Sequence, residues 1–506
     1  QVTLGETTYG IWEELAYQLW LDVVTLYEVR ENLDPLSLRV QEIDQALRDF
    51  TVIVDFELPY DEMMATMQAT RERLSGPLAC VNGSTTPTMF AFGHAHIDVA
   101  WLWPLAETER KTARTFGNQL ALMAEYPEYR FLQSQPHLYH MLKARYPELY
   151  ERVKTAIRDG QVIPDGSTWV EPDTNVPSGE SLIRQFVYGK RFYQDEFGVD
   201  CELLWLPDVF GYSGALPQIM RGCGVRFFST QKIFWAYHGG DMFPYNTFTW
   251  EGIDGSEVLV HLHNDYNSTT NPAAVIGRWN ERVQKDGFST RLMPFGYGDG
   301  GGGPTRNHLE FARRAQNLEG VPKVRLAGPM DYFRDQQAKG WPAARYVGEL
   351  YFQAHRGTYT SQARTKRGNR KSELALREAE LWAAAAGALK GFAFPADDIA
   401  EAWISVLLNQ FHDILPGSSI HRVYEQAEAA YADVITRAER VTQEATAALV
   451  SDAAGVVVFN SLSWPRTALV PLPAGTDGAT DPRGVSVPTQ TLSGQPMAEV
   501  RVPACG

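Results

Sequence analysis

From Met89 onward the chain alternates short apolar runs with longer helical stretches, and this rhythm limits its fold more than any other feature. The runs are 89–93, 130–133, 161–163, 203–206, 225–229, 292–296 and 324–327. The helical stretches between them include 104–126, 136–154, 214–221, 272–285 and 306–317. Strands separated by helices return by crossovers and lie side by side in one direction, so a parallel sheet, open or barrel-like, is expected. In such sheets chemistry gathers at the carboxyl ends of the strands.

The flanks read differently. Residues 1–85 form a helical lead-in, with Ile11, Leu15, Leu19, Val23 and Tyr27 recurring every four residues as one apolar face. A β/α catalytic domain over 86–345 follows. Three helical patterns at 360–390, 397–412 and 420–451 then predict a three-helix bundle over 346–452. Asp398 with Glu401 reads as a capping box, and Pro416-Gly417 separates the last two helices. Residues 453–506 turn to β texture but supply roughly fifty residues, where an independent sandwich takes about 100. The chain is therefore expected to end inside a β domain. The fold class is α/β: a parallel, barrel-like β/α catalytic domain, then a three-helix bundle, then the start of a truncated β domain.

Composition narrows the function classes. The 506 residues carry 46 Lys+Arg against 61 Asp+Glu, a formal charge of −15. That balance argues against a nucleic acid partner, whose phosphates need cations, and against an anionic membrane surface. The apolar run 381–389 falls far short of the roughly 20 residues of a membrane span. Cys80, Cys201, Cys223 and Cys505 are scattered with no CxxC pair, so neither a disulfide framework nor a thiolate zinc site is expected. The first ten residues show no basic segment followed by an apolar one, so no signal peptide is expected and the location is read as cytoplasmic. The chain opens on Gln rather than Met, as a trimmed or processed product would. It is compatible with a homo-oligomer and fixes no subunit number.

Four segments carry candidate chemistry. Phe92-Gly93-His94-Ala95-His96-Ile97-Asp98 closes the first strand, where residues two apart point the same way, so His94, His96 and Asp98 can converge. They read as half a zinc site, or as bonded core histidines beside a helix-capping Asp. Leu203-Leu204-Trp205-Leu206-Pro207-Asp208 runs a strand into a carboxylate that is either a catalyst or a cap for the next helix. Phe295-Gly296-Tyr297-Gly298-Asp299 leads into Gly300–Gly303; no Gly-Lys-Ser/Thr closes this run, so a nucleotide loop is not expected, and Asp299 is either functional or incidental to a mobile loop. Asn409-Gln410-Phe411-His412-Asp413 sets a His-Asp pair at a helix end, where a favourable dipole contact is the plainer reading.

Together the segments support one constellation. His96, Asp98, Asp208 and His412 offer two nitrogen and two oxygen ligands, a sound zinc set without cysteine. Other divalent ions suit the same donors. Asp208 and Asp299 would face one pocket, and two carboxylates across a pocket are the equipment of glycosidic cleavage.

The four motifs, in this order, resemble glycoside hydrolase family 38, the class II α-mannosidases, and most of all its cytosolic-type branch. Supporting stretches are Trp169-Val170-Glu171-Pro172-Asp173-Thr174-Asn175, Thr249-Trp250-Glu251-Gly252-Ile253-Asp254-Gly255-Ser256, His355-Arg356-Gly357-Thr358-Tyr359-Thr360-Ser361-Gln362 and Phe459-Asn460-Ser461-Leu462-Ser463-Trp464. The resemblance implies one Zn2+ per chain on His96, Asp98, Asp208 and His412. It implies Asp208 as ligand and nucleophile and Asp299 as acid/base. It puts Trp101 and Phe210 at the sugar subsite and Asp413 near the sugar hydroxyls. The implied activity is a retaining exo-α-mannosidase acting on α-mannoside oligosaccharides. The alternative is an amidohydrolase-type metal hydrolase, for which His94-Ala95-His96 would be the opening motif. That class needs further metal-binding His at later strand ends, where this chain has Asp208 and Asp299.

Overall fold

A computed structural model of the chain describes residues 5, 9–235, 241–285, 287–450 and 455–506. Gln1, where the chain opens, and Ser451, at the end of the third helical pattern, lie outside them. The chain divides into two compact units, Gln1–Gln362 with Gln410–Tyr424, and Ala363–Asn409 with Glu425–Gly506.

The first unit opens with three helices, Glu14–Glu31, Leu38–Ile53 and Tyr60–Leu78. The buried face of the first carries Leu19, Asp22, Leu26 and Val29. It is not the expected four-residue series, since Ile11 precedes the helix and both Ile11 and Tyr27 are exposed. A helix turns about 100° per residue, so a strict spacing of four drifts roughly 40° per step off any fixed face. Asp22 is buried and charged; it accepts from Arg71 Nε at 2.8 Å and Arg314 Nη2 at 2.7 Å. Those bonds pin the helical lead-in to the helix Arg306–Arg314 of the β/α body.

Among the described residues ten strands follow: β1 (Thr88–His94), β2 (Phe131–Gln133), β3 (Val162–Pro164), β4 (Leu203–Trp205), β5 (Phe227–Thr230), β6 (Thr247–Glu251), β7 (Glu257–Leu262), β8 (Thr290–Phe295), β9 (Lys323–Leu326) and β10 (Arg345–Val347). β1 pairs in parallel with β8, β9 and β2, and β2 pairs in parallel with β3. A second sheet has the order β10-β6-β7-β5-β4. A parallel bridge between Gly166 and Leu204 links the end of β3 to β4. The strands β8, β1, β2, β3, β4, β5 and β7 therefore all run in one direction. The departure from a single parallel sheet is the antiparallel β6–β7 hairpin, which turns through Gly252–Ser256 with Gly255 at φ +85°. An Asp-Gly turn between two alternating segments is the local chemistry of a hairpin, and it locally overrides the crossover pattern.

Phe90, Phe92, Leu132, Trp205, Phe227, Leu259 and Leu292 fill the interior between the strands, with Tyr332 and Phe333 from the helix Pro329–Lys339. Burying each such side chain is worth about 1.5–3 kcal/mol against leaving it in water. This packing fixes where the strand ends lie.

The second unit contains the helices Ala363–Lys390 and Ala396–Asn409 and most of His421–Leu449. Trp382, Trp403, Tyr431, Val434, Ala438 and Val441 are buried along them. Asp398 lies inside the first turn of its helix and pairs with Arg437 at 3.4 Å and with Arg440, so it bridges helices instead of capping one. Five strands follow: β11 (Arg466–Pro471), β12 (Ala479–Thr480), β13 (Ser486–Val487), β14 (Thr489–Leu492) and β15 (Gln495–Val502). They form an antiparallel sheet β11-β15-β14 and a β12–β13 pair.

Two glycines in helices of the first unit should answer the same substitution with opposite signs. A Cβ on Gly189, in the helix Gly179–Phe197, would sit 2.3 Å from Ser167 O and 2.8 Å from Trp169 N, backbone that has no cheap way to move. A Cβ on Gly117, in the helix Leu105–Glu125, meets nothing within 4 Å. Gly189→Ala should cost about 1–3 kcal/mol, and Gly117→Ala should gain about 0.5–1 kcal/mol. Thermal denaturation of the two variants checks both signs.

Candidate active site

Because the strands share a direction, the residues just past their carboxyl ends gather on one side. His96 and Asp98 follow β1, Asp208 follows β4 and Asp299 follows β8. His412 arrives on the turn after the helix Ala396–Asn409, within the first compact unit. One ligating atom each from His96, Asp98, Asp208 and His412 lies within 4.8 Å of the others, and all four residues are buried. His96 Nε2 is 2.8 Å from Asp98 Oδ1 and 3.8 Å from Asp208 Oδ2. His412 Nε2 is 3.5 Å from Asp98 Oδ1 and 3.7 Å from Asp208 Oδ2.

His94 does not join them. β1 ends at His94, so the two-residue alternation of a strand does not carry through to positions 96 and 98. His94 turns into the core, where its Nε2 accepts from Trp205 Nε1 at 3.1 Å and burial pushes its pKa well down.

The residues present fit a divalent cation. His412 Nδ1 is 2.8 Å from the Glu171 carbonyl, so Nδ1 carries the proton and Nε2 presents a lone pair. That buried Nε2 has no hydrogen-bond partner and faces two carboxylate oxygens. A lone pair facing carboxylates is repulsive unless a proton or a cation stands between them. Two imidazole nitrogens and two carboxylate oxygens are a donor set that Zn2+ accepts. The electrostatics point the same way. Burial opposes charge on His96 and His412, yet the surrounding carboxylates outweigh it and push both up, His412 to about 10.

Asp208 divides its two oxygens. Oδ2 faces the histidines, while Oδ1 accepts from Lys232 Nζ at 2.6 Å and from Tyr266 OH at 3.0 Å. Burial would raise this carboxyl, but the His412 contact and the Lys232 and His96 charges hold it well below the usual carboxylate range. Lys232 follows β5 and Tyr266 follows β7. Lys232 is 4% exposed, and its ammonium lies 3.5 Å from the Trp235 ring centroid. Sequence reading missed both partners. Tyr266 was hidden because the hairpin that delivers it breaks the crossover rhythm.

Asp299 lies on a loop tied down by hydrogen bonds, close enough to the cluster for the charges of Asp98 and Asp208 to act on it. The Gly300 and Gly301 amides donate to the His96 carbonyl at 3.1 and 2.9 Å. From the helix Leu105–Glu125, Thr115 Oγ1 donates to Gly301 O at 2.5 Å and Lys111 Nζ to Gly300 O at 3.3 Å. Asp299 itself adopts φ +35°, and Gly298 has no room for a side chain because Asn267 Oδ1 would lie 2.1 Å from its Cβ. Partial desolvation, with the Asp98 and Asp208 charges, raises the Asp299 carboxyl.

The residues expected at a sugar subsite are placed as follows. Phe210 is buried, its ring 5.8 Å from His412 and 4.8 Å from His355. Trp101 is half-buried on the loop after Asp98, and its carbonyl accepts from Ile420 N at 2.9 Å. Asp413 Oδ2 lies 3.9 Å from His412 Nε2, and Oδ1 accepts from Ser418. Burial and the Asp98 charge push Asp413 up to about 7.

Residues 86–355 match the N-terminal domain of the glycosyl hydrolases family 38, and residues 353–449 match the alpha mannosidase middle domain. The chain belongs to glycosyl hydrolase family 38. It is 41% identical to Alpha-mannosidase 2C1 of Homo sapiens over 476 residues, 93% of this chain and 45% of that protein. It is 39% identical to an Alpha-mannosidase of Saccharomyces cerevisiae over 394 residues, 75% of this chain and 36% of that one. The chain thus spans less than half the length of these family 38 relatives. The crystal structure of an alpha-mannosidase from Enterococcus faecalis V583 matches with a TM-score of 0.67 at 21% identity, covering 83% of this chain and 55% of that one. That likeness supports the family 38 fold. Among the described residues, no helix is long and apolar enough to cross a membrane.

The pinned loop yields a prediction that does not depend on turnover. Thr115→Val should leave the Gly301 carbonyl unpaired in a buried place, at a cost of about 1–3 kcal/mol. Amide hydrogen exchange at Gly300 and Gly301 should then speed up about tenfold or more, since about 1.4 kcal/mol is a factor of ten. The amides of β2 and β4 should keep their rates.

Proposed function

We propose that this chain carries the catalytic site of a retaining exo-α-mannosidase that removes terminal α-linked mannose from oligosaccharides. The observation that carries the reading is the divided role of Asp208: one oxygen faces the His96–Asp98–His412 cluster, and the other is held by Lys232 and Tyr266. The Lys232 charge favours the ionised form of this carboxylate, which is the form a nucleophile needs. The names of the relatives at about 40% identity support the substrate class. A cytoplasmic location belongs to the same reading and rests on the likeness of the motifs to the cytosolic-type branch. The amidohydrolase-type alternative asks for metal-binding His at later strand ends; β4, β5 and β8 lead into Asp208, Lys232 and Asp299, and His263 after β7 stacks on Trp205 and pairs with Ser229 instead of joining the cluster.

In this mechanism His96, Asp98, Asp208 and His412 hold one Zn2+ per chain, which when bound supplies a Lewis-acid contact to vicinal sugar hydroxyls. Phe210 and Trp101 offer ring faces to the apolar side of the mannose, and Asp413 accepts from its hydroxyls. Asp208 Oδ1 attacks the anomeric carbon as the glycosidic C–O bond breaks. Asp299 gives its proton to the departing oxygen, which keeps the bond's electron pair. Asp299, now a carboxylate, takes a proton from water. That water attacks the anomeric carbon, the C–Oδ1 bond breaks, and Asp208 returns as a carboxylate with configuration retained. The depressed Asp208 and raised Asp299 bias each carboxyl toward the form its step requires. Since Asp299 must start protonated, kcat/KM should fall as pH rises through its pKa.

The test is hydrolysis of aryl α-mannosides with and without a chelator, with metal content measured on each variant. Asp208→Ala should lose turnover and bound metal together. Asp299→Ala should keep the metal and much of the first step on substrates with an activated leaving group. Added azide should then yield an α-mannosyl azide. Turnover unchanged by chelator, or unactivated mannosides cleaved by Asp299→Ala at the parent rate, would overturn the scheme.

A further inference from the structure

The segment Trp169-Val170-Glu171-Pro172-Asp173 follows β3 and has no part in the mechanism above, yet Glu171 reaches both histidines of the cluster through two different groups. Its carboxylate Oε2 lies 3.3 Å from His96 Nδ1. Neither of these buried atoms makes a well-aligned hydrogen bond, so this close ion-pair contact is the outlet each has. Its main-chain carbonyl lies 2.8 Å from His412 Nδ1 and also accepts the His412 amide at 3.2 Å.

Glu171 is itself held. Ser134 Oγ donates to Oε1 at 2.6 Å, and the Glu171 amide donates to Gln135 Oε1 at 3.3 Å. Gln135 Nε2 in turn donates to the Ile97 carbonyl at 2.9 Å, between His96 and Asp98. Pro172 bridges to Phe411, and Asp173 N donates to Gln410 O at 2.9 Å, so the segment is paired to the turn that presents His412. Glu171 is 1% exposed. A buried carboxylate with one oxygen on a serine and the other on an imidazole has a defined direction and nothing else to do.

We propose that Glu171 is the positioning residue of the metal site, fixing the Nδ1–H tautomer of His96 with its side chain and that of His412 with its backbone carbonyl. Both Nε2 lone pairs are then free for the shared centre, His96 Nε2 giving up the proton it would otherwise share with Asp98 Oδ1 at 2.8 Å. The proposal rests on the reading of His96, Asp98, Asp208 and His412 as metal ligands. An imidazole whose Nδ1–H is bonded to a carboxylate is a more basic ligand and is locked in rotation. Loss of such a partner ordinarily costs about 10–100-fold in metal affinity. The two histidines should respond differently to mutation. A side-chain change at position 171 removes the acceptor from His96 and leaves the carbonyl on His412 in place.

The experiment measures Zn2+ affinity of the full chain by competition with a chromophoric chelator, together with the visible spectrum of the Co2+-loaded protein. It compares the parent with His96→Ala, Glu171→Gln, Glu171→Asp and Ser134→Ala, each checked for fold by circular dichroism and thermal melting. Glu171→Gln should weaken Zn2+ about 10–100-fold and shift the Co2+ bands. Glu171→Asp, which keeps the charge but is one methylene short, should fall between Glu171→Gln and the parent. Ser134→Ala should lose a few-fold in the same direction. Long-range 15N–1H spectra of histidine-labelled protein should show a mixed tautomer at His96 in Glu171→Gln, with His412 unchanged. If Glu171→Gln and Glu171→Asp both keep the parent Zn2+ affinity and the His96 tautomer, the proposal is overturned. Should Glu171→Gln fail to fold, Glu171→Asp and Ser134→Ala decide by the same measure. A parent chain that binds no Zn2+ or Co2+ at one per chain would instead sink the metal reading itself. Loss of binding in His96→Ala alone would leave that reading standing without Glu171.

Discussion

Four acidic groups, Asp98, Glu171, Asp208 and Asp413, are buried around two imidazoles, and Lys232 is the one lysine or arginine ammonium or guanidinium that touches them among the described residues. The Asp98 and Asp208 ligating atoms lie within 4.8 Å, where two like charges at an effective dielectric near 20 repel by roughly 3–4 kcal/mol. Such a cluster needs relief of its negative charge. Three routes exist: a protonated carboxyl, as the raised Asp413 offers, protonated histidines, or a divalent cation that the same atoms would ligate. The upward push on His96 and His412 shows how strongly the cluster calls for that charge. Much of the surrounding architecture is what holds four acids in place against this repulsion: parallel strand ends, a pinned glycine loop, and a turn stitched to the Trp101 loop.

The fold holds them because it draws the cluster residues from separate parts of the chain and anchors Asp98 and His412 through their backbone. Asp98 is anchored through its carbonyl, which accepts from Trp103 Nε1 and Thr108 Oγ1 on the adjoining loop and helix. His412 is anchored through its amide and Nδ1 on one carbonyl, that of Glu171. Neither anchor uses the atoms that face the centre. The ligating atoms are therefore left to whatever occupies the centre, while rotation of each side chain is already restricted.

Much of this was legible in the sequence, for a physical reason. A strand running into Asp208, or into His96 and Asp98, shows because apolar runs and the polar residues after them are contiguous in the chain. The seven crossover strands were readable on the same ground. What escaped depends on contacts across the fold. The β6–β7 hairpin carries a turn signal at Asp254-Gly255, but it interrupts a rhythm that otherwise predicts crossovers, and with it went Tyr266. Lys232 is a lone lysine after a strand, and nothing local distinguishes it from a solvated one; its partner lies 24 residues back, at Asp208. His94 was misread in the other direction. Strand alternation groups it with His96 and Asp98, but the strand stops at His94 and Trp205 claims its ring nitrogen. The glycine run suggested mobility because glycine is permissive, whereas here positive φ at Gly300, Gly301 and Gly303 and the close approach of Gly302 to the Tyr297 carbonyl are what demand glycine.

That last point joins the two halves of the proposed chemistry. The His96 carbonyl receives both the Gly300 and Gly301 amides, so the backbone of a proposed ligand is also the mooring of the loop bearing Asp299. A displacement of His96 toward or away from the centre is then felt at the acid/base without any side chain between them. Two amides on one carbonyl leave little freedom for Asp299, and its positive φ shows that the loop is held in a conformation a free chain would seldom choose. The same placement raises the Asp299 carboxyl, first by desolvation and then by the Asp98 and Asp208 charges, against a lowering pull from His96. The position of the proposed ligand His96 and the position of the loop that bears Asp299 are therefore tied by the same two hydrogen bonds.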